Sequence, residues 1–233
     1  MGCTDYKACN YDINAEIDSG NCAYAEDNYN CDGDCIAKID CSGVCGGKDT
    51  ENIDCAGSCL NENVLLWDVC YNIENTVRLK LSKDMVHGKS IPKDIGKLIN
   101  LKELRFYKTN LVGNIPKEIG DLVNLESLTL SFNKLNGEIP KEIGKLTNLK
   151  RLYLNNNQLS GKIPKSFEKL KKLNTLLLSN NRLEGDIPSF ICNLELSFFN
   201  NNKDYFRNNS FCPPYPKCIS KNIIGYQSKR YCN

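Results

Sequence analysis

Residues 139–162 read Ile139-Pro140-Lys141-Glu142-Ile143-Gly144-Lys145-Leu146-Thr147-Asn148-Leu149-Lys150-Arg151-Leu152-Tyr153-Leu154-Asn155-Asn156-Asn157-Gln158-Leu159-Ser160-Gly161-Lys162. The Ile-Pro pair recurs at Ile91-Pro92, Ile115-Pro116, Ile163-Pro164 and Ile187-Pro188, always at an interval of 24. Leucines keep the same register at Leu125, Leu128, Leu130, then Leu149, Leu152, Leu154, then Leu173, Leu176, Leu178. Asn133, Asn157 and Asn181 follow each set, and Gly113, Gly137, Gly161 and Gly185 recur in step. The form is L-x-x-L-x-L-x-x-N-x-L-x-G-x-I-P, in four full copies with a partial one on each side.

The spacing Leu128-x-Leu130 has the period of two expected of a short strand with one buried face. A single such strand is too short to be stable alone. Stacked copies form a parallel sheet and bury the leucines in one continuous core. The asparagines turn the chain after each strand and can bond the backbone of neighbouring coils as a ladder. Glycine permits a bend there that a side chain would hinder. Ile-Pro, with Ile119, Leu122 and their equivalents, packs the opposite wall.

This pattern resembles the plant-type leucine-rich repeat, and the resemblance covers about residues 59–218. It implies an α/β-type solenoid: a right-handed coil with a short parallel β-sheet on its concave face and disulfide caps at its ends. The first unit departs from the pattern, with Asp84 at the asparagine position, and Thr109 replaces asparagine in the next. The ladder is therefore expected to be weakest at its N-terminal end. Cys59-x10-Cys70, with Trp67 between, resembles the N-terminal cap of such repeats, in which a tryptophan covers the first coil and a disulfide fixes it. Phe211-Cys212-Pro213-Pro214-Tyr215-Pro216-Lys217-Cys218 resembles the C-terminal cap. There the expected pairs are Cys212 with Cys218 and Cys192 with Cys232, one of three connectivities that four cysteines allow. The expected division is 1–58 as a disulfide-rich acidic segment, 59–76 as the N-cap, 77–190 as repeats and 191–233 as the C-cap.

Fourteen of the 233 residues are cysteine, and the segment 71–191 contains none. A cysteine-free centre between cysteine-rich ends reads as a body held by packing with ends that need covalent staples. Residues 31–59 repeat a short form of their own, Asn30-Cys31-Asp32-Gly33-Asp34-Cys35, Asp40-Cys41-Ser42-Gly43-Val44-Cys45 and Asp54-Cys55-Ala56-Gly57-Ser58-Cys59. With Gly2-Cys3-Thr4-Asp5 and Ala8-Cys9-Asn10-Tyr11, these resemble repeats of extracellular proteins from marine bacteria, protists and their large DNA viruses. The C-x3-C spacing, with acidic neighbours and a single histidine in the chain, favours disulfides over structural zinc. Asp12, Asn14, Glu16 and Asp18 alternate as calcium ligands would, but Ile17 stands where an EF-hand loop needs glycine, so an acidic solvated surface is the preferred reading.

The net charge of +2 conceals an asymmetry. Residues 1–59 carry 3 bases and 12 acids, a balance of −9, and residues 60–233 carry 27 bases and 16 acids, a balance of +11. No apolar run reaches the roughly 18 residues that a membrane span needs. His87 is the only histidine and reads as a solvated turn residue. No H-E-x-x-H, G-x-S-x-G or P-loop occurs, and Asp94, Glu118 and Glu142, each after a lysine, read as a solvated face. An enzyme, a cofactor or a resident metal is not expected.

The outward strand positions should align in columns on the concave face: Arg78, Glu103, Ser127, Arg151, Thr175; then Lys80, Arg105, Thr129, Tyr153, Leu177; then Ser82, Tyr107, Ser131, Asn155, Ser179; and Lys83, Lys108, Phe132, Asn156, Asn180. The candidate ligand-binding set is Arg78, Lys80, Lys83, Arg105, Tyr107, Lys108, Phe132, Arg151 and Tyr153. Exposed aromatics beside a basic patch suit an acidic protein or an anionic glycan. The bland reading is a Lys-rich solubility face.

Three functions follow from these features: a non-enzymatic extracellular or surface recognition module, a structural element of a cell surface or virion coat, and an inhibitor of a secreted hydrolase. Nucleic acid is not expected as a partner. The acidic N-terminal segment offers self-association through pairing with the basic body. Met1-Gly2 leads into Cys3 with no signal peptide, and Tyr6 stands where a myristoylation motif needs Ser or Thr. Asn208-Asn209-Ser210 is the one glycosylation sequon, with Asn208 as acceptor.

Overall fold

The computed structural model of the protein describes residues 20–23, 62–81, 83–196, 205–228 and 232. The chain divides into two compact units, Met1–Asn63 and Val64–Asn233. The C-x-G-x-C repeats, the segment from Asp12 to Asp18, and Cys59 lie outside the described residues. Cys22 and Cys70 are disulfide-bonded.

The hairpin of β1 (Asn63–Leu66) and β2 (Val69–Asn72) opens the repeat-bearing part of the chain. Trp67 and Asp68 make its two-residue turn with φ of 50° and 67°. This is the primed turn geometry, whose twist matches that of the flanking strands. Trp67 packs edge-on against Phe106, centroids 5.3 Å apart, and its indole N–H donates to the Ser90 carbonyl at 2.8 Å. The ring thus covers the first coils while its one polar atom is satisfied.

A parallel sheet follows, made of β3 (Arg78–Lys80), β4 (Glu103–Arg105), β6 (Ser127–Thr129), β8 (Arg151–Tyr153) and β10 (Thr175–Leu177) in that spatial order. Arg78, Glu103, Ser127, Arg151 and Thr175 lie in direct register, as do Lys80, Arg105, Thr129, Tyr153 and Leu177. A second parallel sheet contains β5 (Val112–Asn114), β7 (Lys134–Glu138), β9 (Gln158–Gly161), β11 (Arg182–Asp186) and β12 (Ser210–Cys212). It lies outside the expectation of one concave sheet. Its strands run through Gly113, Gly137, Gly161 and Gly185, all with φ between 73° and 77°. Only glycine enters that region freely, so the repeated glycine shapes a strand and does more than permit a bend.

Short 3-10 helices close each coil after the Ile-Pro pair: Lys93–Lys97, Lys117–Asp121, Lys141–Lys145, Lys165–Lys169 and Ser189–Asn193. The prolines stand at the N-cap with φ between −60° and −69° and ψ between 128° and 148°, the extended conformation usual for that position. Gly96, Gly120 and Gly144 let consecutive helices touch. A Cβ on Gly120 would stand 2.5 Å from the Glu142 carbonyl oxygen. In the next coil Glu168 replaces this glycine, so the stacking of helices changes before Ser189–Asn193. Between the sheets and the helices lies one core, in which Leu104, Leu128, Leu152 and Leu176 join Ile119, Ile143 and Phe167, all fully buried.

Two asparagine ladders run along the coil. In the first, Asn133 Nδ2 donates to the Phe106 and Leu130 carbonyls at 2.7 and 2.9 Å. Asn157 donates to the Leu130 and Leu154 carbonyls, and Asn181 to those of Leu154 and Leu178. Each side chain spans two coils and satisfies carbonyls that would otherwise be buried without partners. Asn209 continues the pattern to the Leu178 and Phe206 carbonyls, and Gln227 ends it at those of Phe206 and Ile224. The second ladder was not read from the sequence. Asn100, Asn124 and Asn148 donate back to the carbonyls of Glu74, Ile99 and Val123.

At the C-terminal end, Cys192 bonds Cys218 and Cys212 bonds Cys232. This corrects the expected pairing of Cys212 with Cys218. Cys212 lies at the end of β12, beside Asp186 of β11. Cys192 sits in the last 3-10 helix, so its bond to Cys218 ties that helix to the cap.

Candidate functional site

The concave sheet carries the candidate residues on its outward positions. Their floor is small and polar: Ser127, Thr129, Ser131 and Asn155 are all buried, and Ser131 Oγ donates to Asn155 Oδ1 at 2.6 Å. Around this floor Glu103, Arg105, Tyr107, Phe132, Arg151 and Tyr153 form the walls of a hollow of about 430 Å³. That volume falls within the range of small-ligand and side-chain pockets.

One side of the hollow is an aromatic–cationic cluster. Tyr107 and Phe132 meet edge to face, with centroids 5.2 Å apart and planes at 69°. Arg105 Cζ lies 5.2 Å from the Tyr107 centroid, and Lys108 Nζ lies 5.2 Å from both ring centroids. Such contacts are each worth roughly 0.5–1 kcal/mol at exposed sites. Tyr107 is 37% exposed and Phe132 38%, which is unusual for two packed aromatics.

Phe132 adopts φ 60°, in the left-handed region. Its column continues as Lys108, Asn156, Asn180 and Asn208, with φ between 55° and 59°. Asparagine tolerates this conformation, whereas other side chains pay roughly 1–2 kcal/mol there. Phe132 and Lys108 depart from asparagine, and the Lys108 ammonium lies over the Phe132 ring.

The charges divide. Glu103 pairs with Lys80 at 3.3 Å and with Arg78 at 3.8 Å, which offsets one of the two positive charges at the N-terminal edge of the face. Arg105, Lys108 and Arg151 pair with no carboxylate among the described residues, and Arg151 Nε donates to Ser127 Oγ at 3.4 Å. Lys83 departs from the expected column. It opens the short helix α1 (Lys83–Val86) instead of taking the left-handed conformation of Lys108. The structure thus brings Arg105, Tyr107, Lys108, Phe132, Arg151 and Tyr153 together and leaves Lys83 outside.

A sixth coil adds to the face. Leu178 N–H donates to the Tyr205 carbonyl and Asn180 N–H to that of Arg207, so Tyr205 extends the column of Tyr153 and Leu177. Burial, and then nearby Tyr153, push the Tyr205 phenol up from its ordinary value. Its signal was present, because Tyr205-Phe206-Arg207-Asn208-Asn209-Ser210-Phe211 parallels Leu177-Leu178-Ser179-Asn180-Asn181-Arg182-Leu183. An interval of 28 from Asn181 to Asn209, in place of 24, hides it from a strict period. Asn208 is exposed, and its amide donates to Asn180 Oδ1. His87 is exposed in the turn after α1.

The profile of a leucine-rich repeat region matches residues 76–196. No curated protein matches the chain. Among solved structures, the BIR2 ectodomain from Arabidopsis thaliana is 35% identical with a TM-score of 0.54, covering 67% of this chain and 79% of that one. The BIR3–SERK2 complex from the same plant is 30% identical with a TM-score of 0.51, covering 69% and 81%. A TDR receptor is 35% identical with a TM-score of 0.50 over 57% of this chain, which spans 22% of that receptor's length. The period, the parallel register of the strands, the asparagine ladder and these matches agree: the chain belongs to the leucine-rich repeat family.

Proposed function

We propose that this protein is a recognition module, working outside the cell or at a surface, that binds a protein through its concave face. The observation that carries this reading is the hollow over β4, β6 and β8. It combines three cations that pair with no carboxylate among the described residues and two exposed rings, one held in a conformation its side chain disfavours. Solubility alone does not require a strained aromatic. In the similar solved structure BIR3 and SERK2 form a complex with one another. Disulfides at Cys192–Cys218 and Cys212–Cys232 suit an oxidising compartment. In the same reading, exposed Asn208 carries an N-linked glycan.

Site-specific photo-crosslinking tests this. A crosslinker at Thr129, on the floor of the hollow, should give a discrete adduct with surface or secreted proteins from the same source. One at Lys117, on a 3-10 helix, should not. Equal adducts from both positions would favour a structural coat role over concave recognition.

A further inference from the structure

The concave reading leaves open which chemistry the hollow selects, and the residues constrain it. Arg105 stands on β4 and Arg151 on β8, two strands away and one column over, which is two residues along the strand. With strands about 4.8 Å apart and about 3.4 Å per residue, the two positions are separated by about 12 Å. In an extended peptide, residues i and i+4 lie about 13 Å apart and share one face, and i+2 lies between them on that face. Two acidic side chains four residues apart would therefore meet Arg105 and Arg151. The side chain midway would stand over β6 between Ser127 and Thr129, in the hollow that Tyr107, Phe132 and Tyr153 also line.

The rings decide what that middle group is. Arg105 and Lys108 lie over Tyr107, and Lys108 also lies over Phe132. A sugar stacks flat on a free ring face, and these faces carry cations. A further aromatic side chain needs only ring edges and the half-buried Tyr153. The small floor of Ser127, Thr129 and Ser131 leaves room for an extended backbone to pass over it. Lys108, against both rings, supports the acidic residue held by Arg105.

Resting on the concave-face reading, we infer that the hollow anchors an extended peptide segment of the form acidic-x-aromatic-x-acidic, its carboxylates on Arg105 and Arg151 and its ring beside Tyr107, Phe132 and Tyr153. Phe132 is then a specificity residue, kept in a left-handed position that Asn156 and Asn180 fill at lower cost in later coils.

The probe is a synthetic nonapeptide with Glu, Ser, Phe, Ser, Glu at its centre, titrated against the full chain at low ionic strength. Companions replace both Glu by Gln, or Phe by Ser, and a heparin hexasaccharide forms a separate arm. The Glu-to-Gln peptide should bind at least tenfold more weakly, and so should the parent peptide to R105Q/R151Q. Phe132→Asn should raise the thermal midpoint while removing discrimination between Phe and Ser peptides, a pairing that a merely structural Phe132 would not show. Equal binding of the Gln peptide, no binding of the parent peptide, or tighter binding of the hexasaccharide would overturn the inference. If the natural crosslink from Thr129 forms and R105Q/R151Q leaves it intact, the anchor fails while concave recognition stands.

Discussion

Asn133 Oδ1 accepts three hydrogen bonds from the preceding coil, and Thr109 supplies two of them: its backbone N–H at 3.0 Å and its hydroxyl at 2.9 Å. The third comes from the Leu111 N–H at 3.1 Å. Thr109 is the first rung, and its hydroxyl serves the next coil's amide instead of spanning two coils as asparagine does. Asn133, Asn157 and Asn181 each bond back to a carbonyl of the coil before, a bond that the Thr109 hydroxyl does not make.

A rung from the middle should be costly to remove. Asn157 is buried, and Asn157→Ala strands the Leu130 and Leu154 carbonyls together with the Leu135 N–H. An unsatisfied buried polar group costs about 1–3 kcal/mol. Asn157→Ala should therefore lower chemical-denaturation stability by about 2–4 kcal/mol. A loss under 0.5 kcal/mol would mean that water or backbone movement replaces the rung.

Two glycines separate sterics from backbone strain. At Gly120 an added Cβ would meet Glu142 O at 2.5 Å and Glu142 Cβ at 2.6 Å. Gly120→Ala should cost about 1–3 kcal/mol, because both neighbouring helices must move. Gly88 has nothing within 4 Å but φ 70°, so Gly88→Ala should cost about 1 kcal/mol through conformation alone. Paired urea titrations of the two variants check both values.

Non-reducing peptide mapping should recover Cys192 linked to Cys218 and Cys212 linked to Cys232. Recovery of a Cys212–Cys218 fragment would contradict the cap described above. Removing the Cys192–Cys218 bond by paired serine substitutions should cost about 2–4 kcal/mol.

Glu126 supplies a pH test. A hydrogen bond from Lys150 at 2.7 Å, reinforced by that lysine's charge, holds its carboxyl below the ordinary carboxylate value. A depressed folded value means that the contribution is present above the unfolded pKa and is lost as pH falls through the folded one. The carboxylate is largely solvated, so the effect on stability is small. Lys150→Met should return the Glu126 titration, followed by carbon-detected NMR, toward the ordinary range.

The repeat was legible because a solenoid couples each coil mainly to its neighbours. A 24-residue period thus encodes both the strand register and the columns that set Arg105 beside Thr129 and Tyr153. The buried leucines, the asparagine rungs and the core role of Trp67 follow from the same local logic. What the sequence left open depended on where non-repeating chain returns in space. Four cap cysteines have three pairings, and the approach of the last 3-10 helix to Cys218 chose one. Glu103 lies opposite Arg78 in a column, yet only packing showed that it also holds Lys80 and so leaves Arg105, Lys108 and Arg151 as the cations of the hollow. Lys83 fits a column by counting, but the chain turns into α1 there. Sequence alone determined that this protein is a stack of leucine-rich coils with a basic concave face. Tertiary structure decided which charges cancel, which ring bears strain and how the cap is tied, because those outcomes depend on contacts outside the repeat period.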